Sequence, residues 1–443
     1  MEKNFYGSVM KIAVPVAAQS LLQVSFSVVD QLMIGQLGSG SIAGVGLGGK
    51  FASLYSVLLG GAATAAGIMI SQYMGQKNDR ETSRSFFANM GIAGFLGILF
   101  MLLCLLFPGP IMRIYTRDEA ARQFAVKYLQ IYAWGFVPMA ISSITAVLLR
   151  CMEAALFPLY AAIASAVLNT GLNYLLIFGR GGLPKMGVQG AALATVISQA
   201  AACVLTIAFF WRHYKRQEMR LAFLWKPDKE KLWQYLGILG PLLICEFLWC
   251  LGENVYTAIY GNMGTEACAA VTLTVPVQTL LIGALSGLSQ AAGILIGKDL
   301  GAREYDRATR ESRKLMLMGF AGSLLLSAVL IGTGGFYVKI FRVEPQVRRL
   351  ARQILVAFAV IAPVKVQNMI LGGGIVRSGG KTKYIMWIDF IGTWLFGVPL
   401  GLLGAFVWKL SVPWVYFILS LEECVRFALT VVVFEKGIWK NML

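Results

Sequence analysis

Apolar residues run along this chain in long continuous blocks, and polar residues are largely confined to the gaps between them. Twelve blocks can be drawn: 12–37, 41–73, 86–107, 122–149, 157–178, 187–211, 232–261, 268–297, 314–336, 347–375, 383–407 and 411–434. Each is long enough for a helix that crosses a bilayer, which takes about 20 residues. The longest hydrophilic connection, "RHYKRQEMRLAFLWKPDKEK" at 212–231, falls at the midpoint. The pattern predicts twelve membrane-spanning helices and leaves no stretch for a soluble domain.

Composition agrees. Of 443 residues 57% are hydrophobic and 14% charged, where a soluble protein has about 25% charged residues. The net charge of +17 raises nucleic acid as a partner, but its placement argues for topology instead. With the N-terminus in the cytoplasm, inner segments and helix ends hold 24 of the 39 Lys and Arg, and outer ones hold 12. Lys50, Lys365 and Arg426 lie within helices. Both termini are therefore expected in the cytoplasm. "MEKNFYGSVM" leads into the first helix without a small-residue cleavage site, so no removable signal peptide is expected. Seven scattered cysteines without a CxxC pair, and a single histidine, His213 in the central hydrophilic loop, offer no disulfide framework, metal site or cofactor site. Neither HExxH nor a nucleophile–base pair is present, which counts against a membrane-embedded enzyme.

The chain repeats itself. A shift of 226 residues lays Pro15 on Pro241, Gly35 on Gly261 and Gly38 on Gly264, with 18 identities across the 74 positions 15–88. Farther on, Arg122 meets Arg348, and Arg150 meets Arg377 with a one-residue slip. The expected fold is all-α, two six-helix bundles in the same orientation related by a pseudo-two-fold axis along the membrane normal. The expected domains are an N-terminal lobe at 1–211, a cytoplasmic linker at 212–231 and a C-terminal lobe at 232–443. Such parallel repeats usually enclose a substrate path and work by alternating access.

Polar residues at membrane depth are the candidate machinery. In "QVSFSVVDQLMIGQLG", Asp30 sits where a charge costs roughly 2.5–3.5 kcal/mol on insertion scales. Gln19, Gln23, Ser27 and Asp30 fall on one helix face, within about 80° at 100° per residue, so that face should line a cavity or the lobe interior. An acid there can bind Na⁺ through its oxygens or carry a proton. Asn169 and Asn173 in "VLNTGLNYLL" lie one above the other on the fifth helix, and Thr195 can add a hydroxyl. Asp30 is expected within direct or water-bridged reach of one of these asparagines. Lys50, on the second helix, either lines the cavity or snorkels to the interface.

The second copy carries more charge. Glu246, Trp249, Cys250 and Glu253 share a face of the seventh helix. Lys365 lies on the tenth helix, Asp389 on the eleventh, and Glu422, Glu423 and Arg426 on the twelfth. Glu422 and Arg426 can pair at i,i+4. Lys365 needs a carboxylate partner, expected from the seventh, eleventh or twelfth helix, with Glu246, Glu253 and Asp389 as the named candidates. The cluster either locks the lobe or forms a second compartment for ions or substrate.

"VVDQLMIGQLG", "SQYMGQKNDRETSR", "VLNTGLNYLLIFG", "GVQGAALATVISQ" and "GGGIVRSGGKTKY" together resemble the multidrug and toxic compound extrusion (MATE) family, in order and over nearly the whole chain. The resemblance implies an antiporter in the cytoplasmic membrane that exports amphipathic organic cations against proton or sodium entry, with Asp30 as the coupling residue of the first lobe. It also implies acids on the seventh helix, at a position that falls on Trp249 here. Asn173 stands where archaeal members carry an aspartate, which leaves Asp30 as the clear carboxylate of that lobe and favours protons over sodium. The expected partners are a small-molecule substrate and the lipid bilayer, with a monomer as the working unit and no nucleic acid. A flippase or exporter of lipid-linked or anionic substrates from the same superfamily is the near alternative, kept open by Lys50 and Lys365.

Overall fold

A computed structural model describes residues 2–116, 118–215, 229–341 and 343–443. Most of the predicted central connection, at 216–228, lies outside the described residues. The helices are α1 Glu2–Gly35, α2 Ser39–Gly75, α3 Asp79–Leu106, α4 Pro108–Tyr115, α5 Glu119–Tyr132, α6 Phe136–Cys151, α7 Leu156–Phe178 and α8 Val188–Tyr214. They continue with α9 Lys229–Asn262, α10 Thr265–Gly301, α11 Tyr305–Lys339, α12 Pro345–Asn368, α13 Thr382–Phe390, α14 Val398–Leu402, α15 Val412–Ser420 and α16 Glu422–Glu435. His213 lies in the last turn of α8, its ring 5.4 Å from that of Phe157, rather than in a loop.

Among the described residues, eleven helical stretches are long and apolar enough to cross a membrane. The fourth joins α5 and α6 through a 3₁₀ turn at Ala133–Gly135. The twelfth predicted block is helical too, but a tight turn divides it at Leu421, whose N–H bonds to Ile418 O at 3.1 Å. Neither piece, α15 or α16, reaches spanning length alone. Large apolar side chains point outward throughout, among them Leu32, Phe95, Leu106, Val204, Leu317 and Leu325, the arrangement a hydrocarbon solvent permits and water does not.

Helix boundaries follow local chemistry. Asn78 caps α3 by accepting from Glu81 N at 3.1 Å, and Asp118 caps α5 by accepting from Ala120 N at 2.9 Å. The repeat is visible in the backbone as well. Gly38 and Gly264, 226 positions apart, both have positive φ (97° and 125°) just before α2 and α10. Lys77 and Arg303, also 226 apart, are left-handed (55° and 62°) in the turns that follow those helices. Glu153 at 58° and Gly380 at 73° correspond with the same one-residue slip as Arg150 and Arg377.

Contacts group the chain into two compact units. One comprises Ala18–Ile70 and Asn78–Pro227; the other comprises Met1–Ala17, Ser71–Lys77 and Asp228–Leu443. The division drawn from the sequence, at 1–211 and 232–443, left both short segments in the first half, whereas by contacts they belong to the second unit. In the first unit Tyr55, fully buried, donates its hydroxyl to Phe136 O at 2.9 Å and packs on the Phe136 ring at 4.6 Å. A buried phenol thus finds a carbonyl.

In the second unit α12 runs on into wide π-helical turns over Met369–Val376, the "GGG" segment. Ser289 donates to Met369 O at 2.6 Å, and a Cβ on Gly374 would meet Ser289 O at 2.7 Å and the Ala292 Cβ at 2.9 Å. Glycine is required because backbone meets backbone here. Gly374→Val is therefore expected to destabilise the protein by about 1–3 kcal/mol through overpacking. Thermal unfolding in detergent measures this, and an unchanged midpoint would contradict the close approach.

Candidate functional site

Each unit holds a polar cluster at membrane depth. In the first unit α1 presents Asp30 to α7, where Asn173 Nδ2 donates to Asp30 Oδ1 at 2.8 Å and to Asn169 Oδ1 at 3.2 Å. Asn169 Nδ2 reaches Thr195 Oγ1 on α8 at 3.4 Å, and Thr195 donates to Ala191 O at 3.0 Å. Asp30, Asn169, Asn173 and Thr195 therefore form one contiguous group on three helices.

With the Asn169 nitrogen on Thr195, the Asn169 oxygen and the Asp30 carboxylate face each other as two acceptors. With the amide turned over, its nitrogen donates to both Asp30 oxygens, at 2.9 and 3.0 Å, which is the orientation a charged Asp30 favours. Tyr128 of α5, buried, lies close enough to feel the Asp30 charge and stacks on Tyr132 at 5.5 Å. Sequence reasoning did not single it out.

The other residues of the predicted stripe separate. Gln19 accepts from Arg150 Nη2 at 3.1 Å, while Gln23 and Ser27 are exposed. Lys50 is exposed and makes no ion pair among the described residues.

In the second unit the cluster is ionic and continuous. Arg377 lies 3.7 Å from Glu246 Oε1 and 3.7 Å from Asp389 Oδ2. Arg426 lies 3.8 Å from Asp389 Oδ1 and 3.4 Å from Glu422 Oε1. Glu422 also accepts from the Tyr256 hydroxyl, and Arg426 donates to Thr393. Lys365 pairs with Glu423 at 3.5 Å. The partner comes from the twelfth predicted helix, one of the three expected, and is Glu423 on α16 rather than one of the named candidates Glu246, Glu253 and Asp389. Asn368 supports the pair, its Nδ2 donating to Glu423 Oε2 at 2.8 Å and Glu423 O at 2.7 Å. Trp249 is 47% exposed and lines a cavity beside Glu246, while Glu253 lines another.

Arg377, Cys245 and Tyr256 were not named as site residues from the sequence, yet the repeat carried a signal for each. Tyr256 is the counterpart of Asp30, Cys245 of Gln19 and Arg377 of Arg150. The geometry keeps this correspondence: Arg150 reaches Gln19, and Arg377 Nη2 donates to Cys245 Sγ at 3.4 Å. The Cys245 thiol in turn donates to Asp389 Oδ2 at 2.8 Å.

Glu422 and Arg426 are 6% and 8% exposed. Arg426→Ala leaves a buried carboxylate without its counter-ion and is expected to cost about 3–5 kcal/mol. Arg426→Met combined with Glu422→Gln should recover most of that loss. A double-mutant comparison of thermal stability checks this, and equal losses in the single and double variants would contradict a buried pair.

Known proteins place this architecture. The MatE family profile matches residues 15–175 and 241–403, one stretch in each copy of the repeat. Among curated relatives, a protein named probable multidrug resistance protein NorM from Rhizobium meliloti (strain 1021) is 27% identical over 419 residues, covering 90% of this chain and 88% of that protein. The uncharacterized transporter YisQ of Bacillus subtilis (strain 168) is 22% identical over 433 residues, with 95% and 94% coverage. Among solved structures, the Vibrio cholerae MATE transporter VcmN in the bent form superposes with a TM-score of 0.88 at 19% identity, over 99% of both chains. A MOP superfamily transporter from Pyrococcus furiosus, described by a reverse polarity of its binding pocket, superposes at 0.86 with 17% identity, over 97% of this chain and 94% of that one. The fold is the all-α, twelve-helix, two-lobe membrane fold of these structures. The chain belongs to the MatE family, the multidrug and toxic compound extrusion transporters.

Proposed function

We propose that this protein is a secondary active exporter in the cytoplasmic membrane that expels amphipathic organic compounds, drugs or cationic toxins, in exchange for protons. Both termini lie in the cytoplasm, the working unit is a monomer, and no cofactor or catalytic chemistry takes part. Curated relatives named as multidrug resistance proteins support export of drugs. One observation carries the choice of ion: Asp30 is held by Asn173 and faces Asn169, with no second carboxylate in the cluster.

In this reading Asp30 takes a proton from the outer side and releases it to the inner side, and Asn169 follows by turning its amide. When Asp30 is neutral the Asn169 oxygen accepts its proton; when Asp30 is charged both amides donate to it. A sodium ion would instead draw on several oxygens at once, and here the amide nitrogens point at the carboxylate. Alternating access exposes this site and the substrate to the two membrane faces in turn.

The second reading, export of an anionic or lipid-linked compound, draws on three cationic side chains that line one cavity of the second unit, Lys365, Arg377 and Arg426. Competition of dye efflux by anionic against cationic amphiphiles separates the two; inhibition by the anions alone would favour the second.

Asp30→Asn keeps size and polarity but removes the titratable group, so it should abolish proton-driven dye efflux while leaving insertion and thermal stability close to wild type. Inverted vesicles with proton and sodium gradients imposed separately provide the measurement. Efflux that persists in the variant, or that requires sodium and survives collapse of the proton gradient, would overturn the proposal.

A further inference from the structure

Two cavities of the second unit share a wall. One, of about 200 Å³, is lined by Glu253, Tyr256, Gln278, Tyr416 and Glu422; the other, of about 290 Å³, by Glu246, Asn368, Arg377, Asp389 and Arg426. Lys365 and Glu423 line both.

The surroundings of the Lys365 ammonium are those of a bound cation. Glu423 Oε1 is 3.5 Å away, and the charges of Glu253 and Glu422 act on it as well. Asn368, one turn along α12, donates twice through its Nδ2 to Glu423, while its buried Oδ1 accepts no hydrogen bond among the described residues. Glu422 is already taken up by Arg426 and Tyr256, whereas Glu253 makes no ion pair among the described residues. A buried carboxylate, an uncommitted amide oxygen and adjoining cavity space make an oxygen-rich setting of the kind a hard monovalent ion occupies. Here the positive charge arrives on a side chain.

We propose that Lys365 sets the ion selectivity of the second unit, its ammonium serving as a tethered cation in the position that a sodium ion would otherwise occupy at Glu423. The inference rests on the proton-coupled reading above and deepens it. With that position filled from within the chain, the second unit offers no alkali-ion site, and exchange is left to Asp30. Removing the ammonium leaves Glu423, 5% exposed, as a buried charge that must be neutralised. Sodium then becomes a ligand that favours the folded state, and its binding raises apparent stability by mass action.

The test is thermal unfolding of the purified full chain in detergent at mildly alkaline pH, in sodium chloride and in N-methyl-D-glucamine chloride of equal ionic strength. Lys365→Met and Lys365→Gln should each gain a saturable sodium-dependent rise of several degrees over wild type. Lys365→Arg, which keeps the tethered charge, should gain none, and adding Glu423→Gln to Lys365→Gln should remove the gain. The glutamine variant can still donate to Glu423, so it carries the test if the methionine variant does not yield folded protein. Lys365→Gln responding to sodium no more than wild type would overturn the inference. The two claims fail separately: sodium stabilisation of wild type that disappears in Asp30→Asn bears on the proton reading, while the difference between Lys365→Gln and wild type bears on Lys365.

Discussion

An ionised group taken out of water must be met by a counter-charge or by hydrogen-bond donors, and in hydrocarbon no solvent remains to make up a shortfall. The two units of this transporter meet that requirement in different ways. The first surrounds a single carboxyl, Asp30, with the neutral amides of Asn169 and Asn173. The second links Glu246, Arg377, Asp389, Arg426 and Glu422 in a chain of opposite charges, with Lys365 and Glu423 beside it. A carboxyl held by neutral amides can gain or lose a proton without stranding a partner charge. A carboxylate locked to a guanidinium cannot do so as freely, because its neutralisation leaves the cation unpaired. On this physical ground we propose that exchange belongs to the first unit and structural neutrality to the second.

The internal repeat sharpens the contrast. Corresponding arginines, Arg150 and Arg377, reach corresponding positions on α1 and α9, so the duplicated scaffold has kept one contact geometry. What changed is the company. Arg150 meets an amide, Gln19, whereas Arg377 meets Cys245 together with Glu246 and Asp389. Likewise the position that holds Asp30 in one copy holds Tyr256 in the other, where the phenol hydrogen-bonds to Glu422. Duplicated folds can divide labour in this way because backbone turns such as those at Gly38 and Gly264 are maintained while the side chains between them diverge.

Much of this was legible from spacing alone. Block lengths gave the number of helices, and the 226-residue shift gave the repeat. The meeting of Asp30 with Asn173 followed from two polar stripes that lipid would reject. Other features were out of reach because helical periodicity reports which residues share a face and not which helices become neighbours. Lys365 finds its acid on the twelfth predicted helix, one of the three expected, but the residue is Glu423 and not a named candidate, because α12 packs so that Glu423 is nearest. The turn at Leu421 and the π-helical path of Met369–Val376 were also hidden. Each depends on local hydrogen bonding and glycine packing rather than on hydropathy. Tyr128 looked like an ordinary aromatic of α5, and only the fold brings its phenol near Asp30.

The central claim is that Asp30 alternates between a neutral carboxyl and a carboxylate while Asn169 reorients to suit. Infrared difference spectroscopy of the reconstituted protein, comparing acidic with alkaline buffer, reads both events: the carboxylic C=O stretch of a protonated acid, and the amide bands of an asparagine side chain. The account predicts a pH-dependent carboxyl band that is missing in Asp30→Asn, is insensitive to sodium, and is accompanied by an amide change that disappears in Asn169→Ala. A carboxylate band that shifts on addition of sodium at constant pH, with no carboxyl band lost in Asp30→Asn, would contradict it.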